Sequence, residues 1–115
     1  MKLYGISNCD TVKKARKWLA EHGQDIPFHD FKKEGIDRAL IARWLKQVDW
    51  QDLINRRGTT WRRLSDIEQA SIASDASAID LMLEKPSVIK RPILEAEHRL
   101  LVGFDEQTYS ETFGQ

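Results

Sequence analysis

The sequence predicts an α/β fold in which a β-α-β half and a β-β-α half flank a helical block. Strand and helix patterns alternate over about the first thirty residues, which is the length of a β-α-β unit. Amphipathic helical patterns fill the middle of the chain, and two short apolar strands follow before a final helix. With 115 residues, 41% of them hydrophobic, the chain is expected to form one domain over residues 1–115.

The β-α-β half begins with a short apolar strand at residues 2–6 and ends with a second strand at residues 25–31. Pro27 favours an edge position for the second strand, or the start of that strand. Between the strands, apolar residues recur at helical spacing until Gly23, which is typical of a helix end. These apolar positions are Val12, Ala15, Trp18 and Leu19. Two strands joined by a helical crossover are expected to pair in parallel.

Helical patterns dominate the middle of the chain. The predicted helical segments are residues 37–48, 50–55, 65–71 and 76–83. Ser65 and Glu68 have the spacing of a capping box, and Pro86 ends the last of these helices. Charge is divided unevenly here, since residues 53–64 hold four arginines and no acid, whereas the following residues to Glu84 hold acids and no base.

The β-β-α half is predicted at the end of the chain. Residues 91–94 and 99–102 form the two strands of a hairpin, and Gly103 breaks the second strand. A short helix is expected at residues 104–113.

Composition and charge exclude several classes of protein. The 18 basic and 18 acidic residues leave no net charge, which argues against a protein that coats nucleic acid. No apolar run approaches the ~20 residues of a membrane span or forms a secretion signal at the start. One cysteine allows neither an intramolecular disulfide nor a thiolate-rich zinc site, and the three histidines share no metal-ligand spacing. We expect a cytoplasmic protein with no metal, no membrane association and no nucleic-acid partner.

The single cysteine, Cys9, falls in the turn between the first strand and the first helix. The free N–H groups of a first helical turn stabilise a thiolate and lower its pKa below the usual value of about 8.5. Lys13 and Lys14, one turn further on, would add positive potential. The alternative is a buried cysteine that acts as a small apolar side chain. Val12 occupies the place of a second thiol in a Cys-x-x-Cys pair, so a mixed disulfide at Cys9 would need an external thiol to resolve it.

Two arginine-containing segments are further candidates. Pro92 is predicted to open a strand, and a proline in that place suits an edge strand or a cis turn. Arg91, directly before it, would then be held on a stiff backbone. The alternative, an ordinary surface arginine, fits the local sequence better. The arginine cluster around Trp61 would suit an anion or an RNA backbone. Its members are Arg56, Arg57, Arg62 and Arg63. A solvated helical face that pairs with the acidic block explains most of them, and one arginine turned into an active site would be enough for function.

Taken together, these segments resemble the ArsC-like branch of the thioredoxin superfamily, in the group that holds YffB, Spx and arsenate reductases, and most of all the YffB type. The resemblance rests on four stretches that span nearly the whole chain. They are residues 3–11 (LYGISNCDT), 53–64 (LINRRGTTWRRL), 85–94 (KPSVIKRPIL) and 101–104 (LVGF). It implies a thioredoxin-like mixed sheet with a helical insertion at about residues 34–75.

The resemblance also implies roles for individual residues. Cys9 falls on the family's catalytic cysteine, and Arg91, beside a cis Pro92, falls on an arginine that holds an oxyanion or glutathione near it. Arg57, or else Arg56, falls near a second such arginine. Asn8 and Lys13 are expected to complete the substrate and glutathione site.

The implied function is an oxidoreductase, a glutathione-dependent thiol reductase that works through a mixed disulfide. Glutathione is then the co-substrate, no cofactor stays bound, and the partners are glutathionylated or disulfide substrates and glutaredoxin. Arsenate reduction is an alternative, but the third arginine of glutathione-type arsenate reductases is missing from residues 101–103, and Gly5 stands where some carry a histidine. A second alternative is a non-catalytic, Spx-like regulator that binds RNA polymerase through the helical block, although Val12 removes the usual Cys-x-x-Cys pair.

Overall fold

The computed structural model describes residues 1–115, which form two compact units. The first unit contains Met1–Glu34 and Arg91–Gln115, and the second contains Gly35–Lys90. None of the helices combines the length and the apolar character that crossing a membrane would require.

The first unit contains a four-stranded mixed sheet with the strand order β2-β1-β3-β4. Its strands are β1 (Lys2–Gly5), β2 (Phe28–Asp30), β3 (Ile93–Glu95) and β4 (Leu100–Val102). The β1 and β2 strands pair in parallel, whereas β3 is antiparallel to both β1 and β4, so the predicted crossover and hairpin are confirmed. The register aligns Phe28, Leu3, Leu94 and Leu101 in one row across the sheet, which gives the sheet an apolar face.

Helices α1 (Asp10–Glu21) and α7 (Glu106–Phe113) pack on this apolar face. The core cluster is Leu3, Ala15, Trp18, Leu19, Leu94, Leu101 and Tyr109. The Tyr109 ring meets the Trp18 ring edge-on at 5.6 Å between centroids, and the Phe104 ring at 4.8 Å. The apolar stripe that predicts α1 is therefore the stripe that α1 buries.

The edge strand β2 is shorter than predicted because of Pro27. This residue lies directly before β2, and its C=O accepts the N–H of Leu3 at 2.9 Å. Since proline has no N–H to donate, ladder pairing begins only at Phe28. Both expectations for Pro27, an edge strand and the start of a strand, are confirmed.

The second unit is mainly helical. Its elements are α2 (Arg38–Trp44), α3 (Trp50–Leu53), α4 (Thr59–Arg62), α5 (Asp66–Ser71), α6 (Asp75–Glu84) and a 3₁₀ turn at Pro86–Val88. Helix α2 is shorter than predicted because the hydrogen bonds of Lys46 and Gln47 tighten to the third residue back. The capping box of α5 is present, since Ser65 and Glu68 each accept the other's backbone N–H.

Candidate active site

Cys9 lies immediately before α1, at the junction that the sequence predicts. Its backbone is extended, with φ −137° and ψ 124°, and its C=O accepts the N–H of Lys13 at 2.9 Å, closing the first helical turn. No side chain caps the N-terminus of α1. The half-buried Cys9 sulfur therefore faces N–H groups that no other side chain occupies.

The environment of Cys9 favours the thiolate. Partial burial alone would raise its pKa, but the backbone N–H of Val12, the Arg91 side chain and the backbone N–H of Thr11 outweigh burial. Arg91 acts in two ways, because it hydrogen-bonds the sulfur and attracts its negative charge. The pKa of Cys9 consequently lies below its ordinary value. A lower pKa increases the fraction of a cysteine that is present as the nucleophilic thiolate at a given pH.

Arg91 is positioned by the backbone around the start of β3. The peptide bond between Arg91 and Pro92 is cis, as the resemblance implies, and Pro92 is buried. The C=O of Pro92 accepts the N–H of Gly103 at 2.8 Å, which ties this segment to the end of β4. The half-buried Arg91 therefore extends from a fixed backbone, and its contact with Cys9 brings the two ends of the chain together.

Asn8 and Lys13 lie on either side of Cys9 along the chain. Both are exposed, Asn8 in the loop before Cys9 and Lys13 in the first turn of α1. The groups that lower the pKa of Cys9 are backbone N–H groups and Arg91, and the Lys13 ammonium is not among them. Both side chains are accessible to solvent.

Arg57 belongs to the second unit, in the loop between α3 and α4. Its side chain is exposed, as is that of Arg56, and its backbone N–H is accepted by Oδ1 of Asn55 at 3.2 Å. Asn55 is itself anchored, because its N–H is accepted by the C=O of Val88 at 2.8 Å. Each arginine therefore extends from a fixed loop, and the choice between them stays open.

Asp30 is a residue of this region that sequence reasoning missed. It ends β2, is only 5% exposed, and accepts the backbone N–H of Ser7 at 3.0 Å, two residues before Cys9. The local sequence FHDFKK indicates only the end of a strand. An acid within the predicted strand at residues 25–31 is the signal that could have found it, since charged side chains are seldom buried without a partner.

A mixed four-stranded sheet, with one cysteine before its first helix and a cis-proline before its third strand, defines a thioredoxin-like protein with a single thiol. The model of the ArsC family matches residues 4–112. The chain belongs to the ArsC family.

Two solved structures share both fold and sequence with this chain. A protein described as YffB is 50% identical, with a TM-score of 0.90 and coverage of 96% of each chain. An arsenate reductase (ArsC) related protein from Brucella melitensis is 49% identical, with a TM-score of 0.78, and the match covers 100% of this chain and 97% of that one.

Curated relatives match over most of the chain as well. An uncharacterized protein of Haemophilus influenzae is 40% identical over 111 residues, which is 96% of each chain. The global transcriptional regulator Spx of Streptococcus pyogenes is 30% identical over 107 residues, which cover 90% of this chain and 78% of that protein.

Proposed function

We propose that this protein is a glutathione-dependent thiol reductase of the cytoplasm, with Cys9 as its nucleophile. The observation that carries the proposal is the contact of a half-buried thiol with an arginine and two free helix N–H groups, which together lower its pKa. Cys9 is the only cysteine in the chain, so the reducing thiol must come from another molecule. Glutathione is the thiol of this kind that cells keep in excess, and glutaredoxin is a candidate partner.

The proposed reaction has two thiol–disulfide exchanges. The Cys9 thiolate attacks the glutathione sulfur of a glutathionylated substrate, an S–S bond forms at Cys9, and the substrate sulfur leaves as a thiolate that takes up a proton. The thiolate of a second glutathione then attacks the mixed disulfide on the glutathione sulfur. Oxidised glutathione leaves, and the Cys9 thiolate is regenerated. The substrate gains two electrons in total, and two glutathione units are joined as the disulfide.

Arg91 has the first supporting role in this proposal. Its guanidinium stabilises the Cys9 thiolate, both as the attacking group and as the leaving group of the second step. Asn8, which is exposed beside Cys9, and the backbone at Pro92, beside Arg91, are the groups proposed to receive the glutathione backbone. Lys13 is the cation proposed for a glutathione carboxylate, and Arg57 stays a further candidate on the strength of the family resemblance alone.

The test is the pH dependence of Cys9 alkylation, combined with turnover of a glutathionylated cysteine peptide. We expect the pKa of the Cys9 thiol to lie below that of an ordinary cysteine, and Cys9→Ser to abolish turnover. Arg91→Gln should raise the pKa of Cys9 by about one unit, because it removes the charge that contacts the sulfur. The matched control is Arg99→Gln, at an exposed arginine of the same unit that contacts Thr112. Normal turnover by Cys9→Ser would end the proposal.

Arsenate reduction is a second candidate, favoured by the Brucella melitensis relative described as an arsenate reductase (ArsC) related protein. In this reaction the Cys9 thiolate would attack arsenate instead of a disulfide. Arsenite formation from arsenate, with glutathione and glutaredoxin supplied, measures it directly. Cys9-dependent arsenite formation faster than peptide reduction would favour this function over the first.

A non-catalytic regulator that binds RNA polymerase is a third candidate, favoured by the similarity to the Streptococcus pyogenes transcriptional regulator Spx. Binding would then not depend on the thiol. Equal polymerase affinity for the wild type and Cys9→Ser, with no turnover of the peptide, would support the regulator. Loss of turnover without polymerase binding would support the reductase.

A further inference from the structure

Asp30 uses both carboxylate oxygens to hold two separate backbone segments. Oδ2 accepts the N–H of Ser7 at 3.0 Å, in the loop between β1 and α1. Oδ1 accepts the N–H of Lys32 at 3.0 Å and that of Lys33 at 3.2 Å, in the turn after β2. The loop before Cys9 is thus fixed to the end of β2 by a buried carboxylate.

The surroundings of Asp30 keep it ionised. Burial would raise the pKa, but the backbone N–H and hydroxyl of Ser7, together with the N–H groups of Lys33 and Lys32, lower it to about 2. The Glu34 carboxylate lies on the same turn and accepts the Asp30 backbone N–H at 2.9 Å. Asp30 therefore stays a two-sided acceptor throughout the pH range in which Cys9 titrates.

The same junction is held by backbone hydrogen bonds on its other side. Gly5 ends β1 opposite Asp30 in the parallel register, and its C=O accepts the N–H of Phe31 at 3.0 Å. Only three residues separate Gly5 from Cys9. The contact of Ser7 with Asp30 therefore holds this short loop two residues before Cys9.

We infer that Asp30 is a positioning residue for Cys9: it holds the loop at Ser7 so that the sulfur stays against the first turn of α1 and against Arg91. This inference rests on the proposed function, in which Cys9 is the nucleophile. Asp30 itself touches neither substrate nor sulfur in this role. It acts through the backbone of the loop.

Asp30→Asn tests the inference because the amide has nearly the same shape but only one acceptor oxygen. Either Ser7 or the pair Lys32 and Lys33 would then face an NH₂ group, and one segment would be released. A role through charge alone predicts the opposite effect on Cys9. Removing a negative charge near a thiolate lowers the pKa of the thiol, whereas loosening the loop raises it.

The experiment is the pH profile of Cys9 alkylation by iodoacetamide on folded protein. In Asp30→Asn we expect the pKa of Cys9 to rise by about half a unit and alkylation at pH 7 to slow about threefold. Asp105→Asn is the matched control, since Asp105 is an exposed carboxylate of the same unit that accepts the Thr108 N–H at the start of α7. Its profile should match that of the wild type.

Ser7→Ala provides a second variant in case Asp30→Asn does not fold. It removes only the hydroxyl contact to Asp30, leaves the backbone contact in place, and should raise the pKa of Cys9 by a smaller amount. If Asp30→Asn folds, a pKa of Cys9 that is unchanged or lowered in this variant overturns the inference. If Asp30→Asn does not fold, a pKa of Cys9 in Ser7→Ala equal to that of the wild type overturns it. A wild-type thiol of ordinary pKa would instead count against the proposed function.

Discussion

Cys9 and Arg91 come from opposite ends of the chain, and backbone features fix the position of each. Cys9 is held by the first turn of α1, and Arg91 by its neighbour Pro92, whose C=O accepts the N–H of Gly103. The Cys9 thiolate is stabilised by backbone N–H groups and by the Arg91 side chain. The cost of burying the sulfur is offset by the N–H groups and the guanidinium that surround it in the folded protein.

The hydroxyl of Tyr109, unlike the Cys9 sulfur, is buried without a hydrogen-bond partner. The residue is 1% exposed, its hydroxyl makes no hydrogen bond, and burial raises its pKa. In the unfolded chain the hydroxyl is hydrated, so folding removes a hydrogen bond to water without replacing it. We expect Tyr109→Phe to increase the free energy of unfolding by about 1 kcal/mol, measured by urea denaturation.

Tyr4→Phe is the matched control for this prediction. The Tyr4 hydroxyl is also buried, but it donates to Oε1 of Glu95 at 2.8 Å. The same substitution should therefore lower the free energy of unfolding by about 1 kcal/mol. Destabilisation by Tyr109→Phe would contradict the absence of a partner for the Tyr109 hydroxyl.

The candidate site was predictable from the sequence only where its signals are local. The strand, turn and helix around Cys9 follow from neighbouring residues, so its place at the start of a helix was predicted. The local sequence around Arg91 fits an ordinary surface arginine, and only the resemblance implied a place beside Cys9. Asp30 was missed because its contact with Ser7 depends on the register of β1 and β2, and the predicted parallel pairing does not fix that register.

At the scale of the element, the junction between β1 and α1 depends on a close approach of two residues. A Cβ added to Gly5 would lie 2.8 Å from Cγ2 of Val12 and 3.3 Å from Cγ1. Val12 is fully buried in the first turn of α1, so it cannot move outwards, and its backbone N–H contacts the Cys9 sulfur. Glycine at position 5 thereby sets how close the helix start lies to the strand.

We expect Gly5→Ala to displace this first helical turn. The free energy of unfolding should fall by about 1–3 kcal/mol, the usual cost of overpacking, and Cys9 alkylation at pH 7 should slow. Denaturation and alkylation of the same sample measure both effects.

The double variant with Val12→Ala isolates the clash. In the Val12→Ala background the two Cγ atoms are gone, so adding Gly5→Ala should cost far less than it does in the wild type. If Gly5→Ala lowers the free energy of unfolding equally in both backgrounds, the clash with Val12 is not the reason that position 5 requires glycine.

The limits of the fold prediction also lie in particular elements. Apolar spacing predicted α1 and the hairpin well, but it extended the second helix to Val48, although the N–H groups of Lys46 and Gln47 already bond to the third residue back. Helix α4 (Thr59–Arg62) was not predicted, because it has only four residues and buries none of them. Periodicity detects a helix by its buried face, so a helix without one gives no signal.

At the scale of the whole molecule, the sheet of the first unit is assembled from both ends of the chain. The β1 strand pairs with β2 nearby in sequence and with β3 from beyond the inserted second unit. The sheet is therefore complete only when the segments before Gly35 and after Lys90 have met. Global unfolding of this unit exposes Asp30, and the stability of the protein is linked to the protonation of that carboxylate.

Asp30 predicts how stability changes in acid. Its pKa in the folded protein, about 2, is below its unfolded value of about 3.9, so its stabilising contribution is complete above the unfolded pKa and is lost as the pH falls towards 2. The free energy of unfolding of the wild type minus that of Asp30→Asn should therefore decrease by about 2 kcal/mol between pH 5 and pH 2. Tryptophan fluorescence during urea denaturation at each pH provides the measurement.

The difference between the two proteins is the informative quantity because every other carboxylate titrates in both. Protonation of these carboxylates adds the same positive charge to both proteins in acid, so the effect of charge repulsion on stability largely cancels in the difference. Asp105→Asn removes an exposed carboxylate, so its difference from the wild type should depend less on pH. If the wild-type minus Asp30→Asn difference in the free energy of unfolding stays constant down to pH 2, the pKa of Asp30 is not lower in the folded protein than in the unfolded chain. The Asp30 carboxylate that holds the Cys9 loop would then not be stabilised in its ionised form by the N–H groups around it.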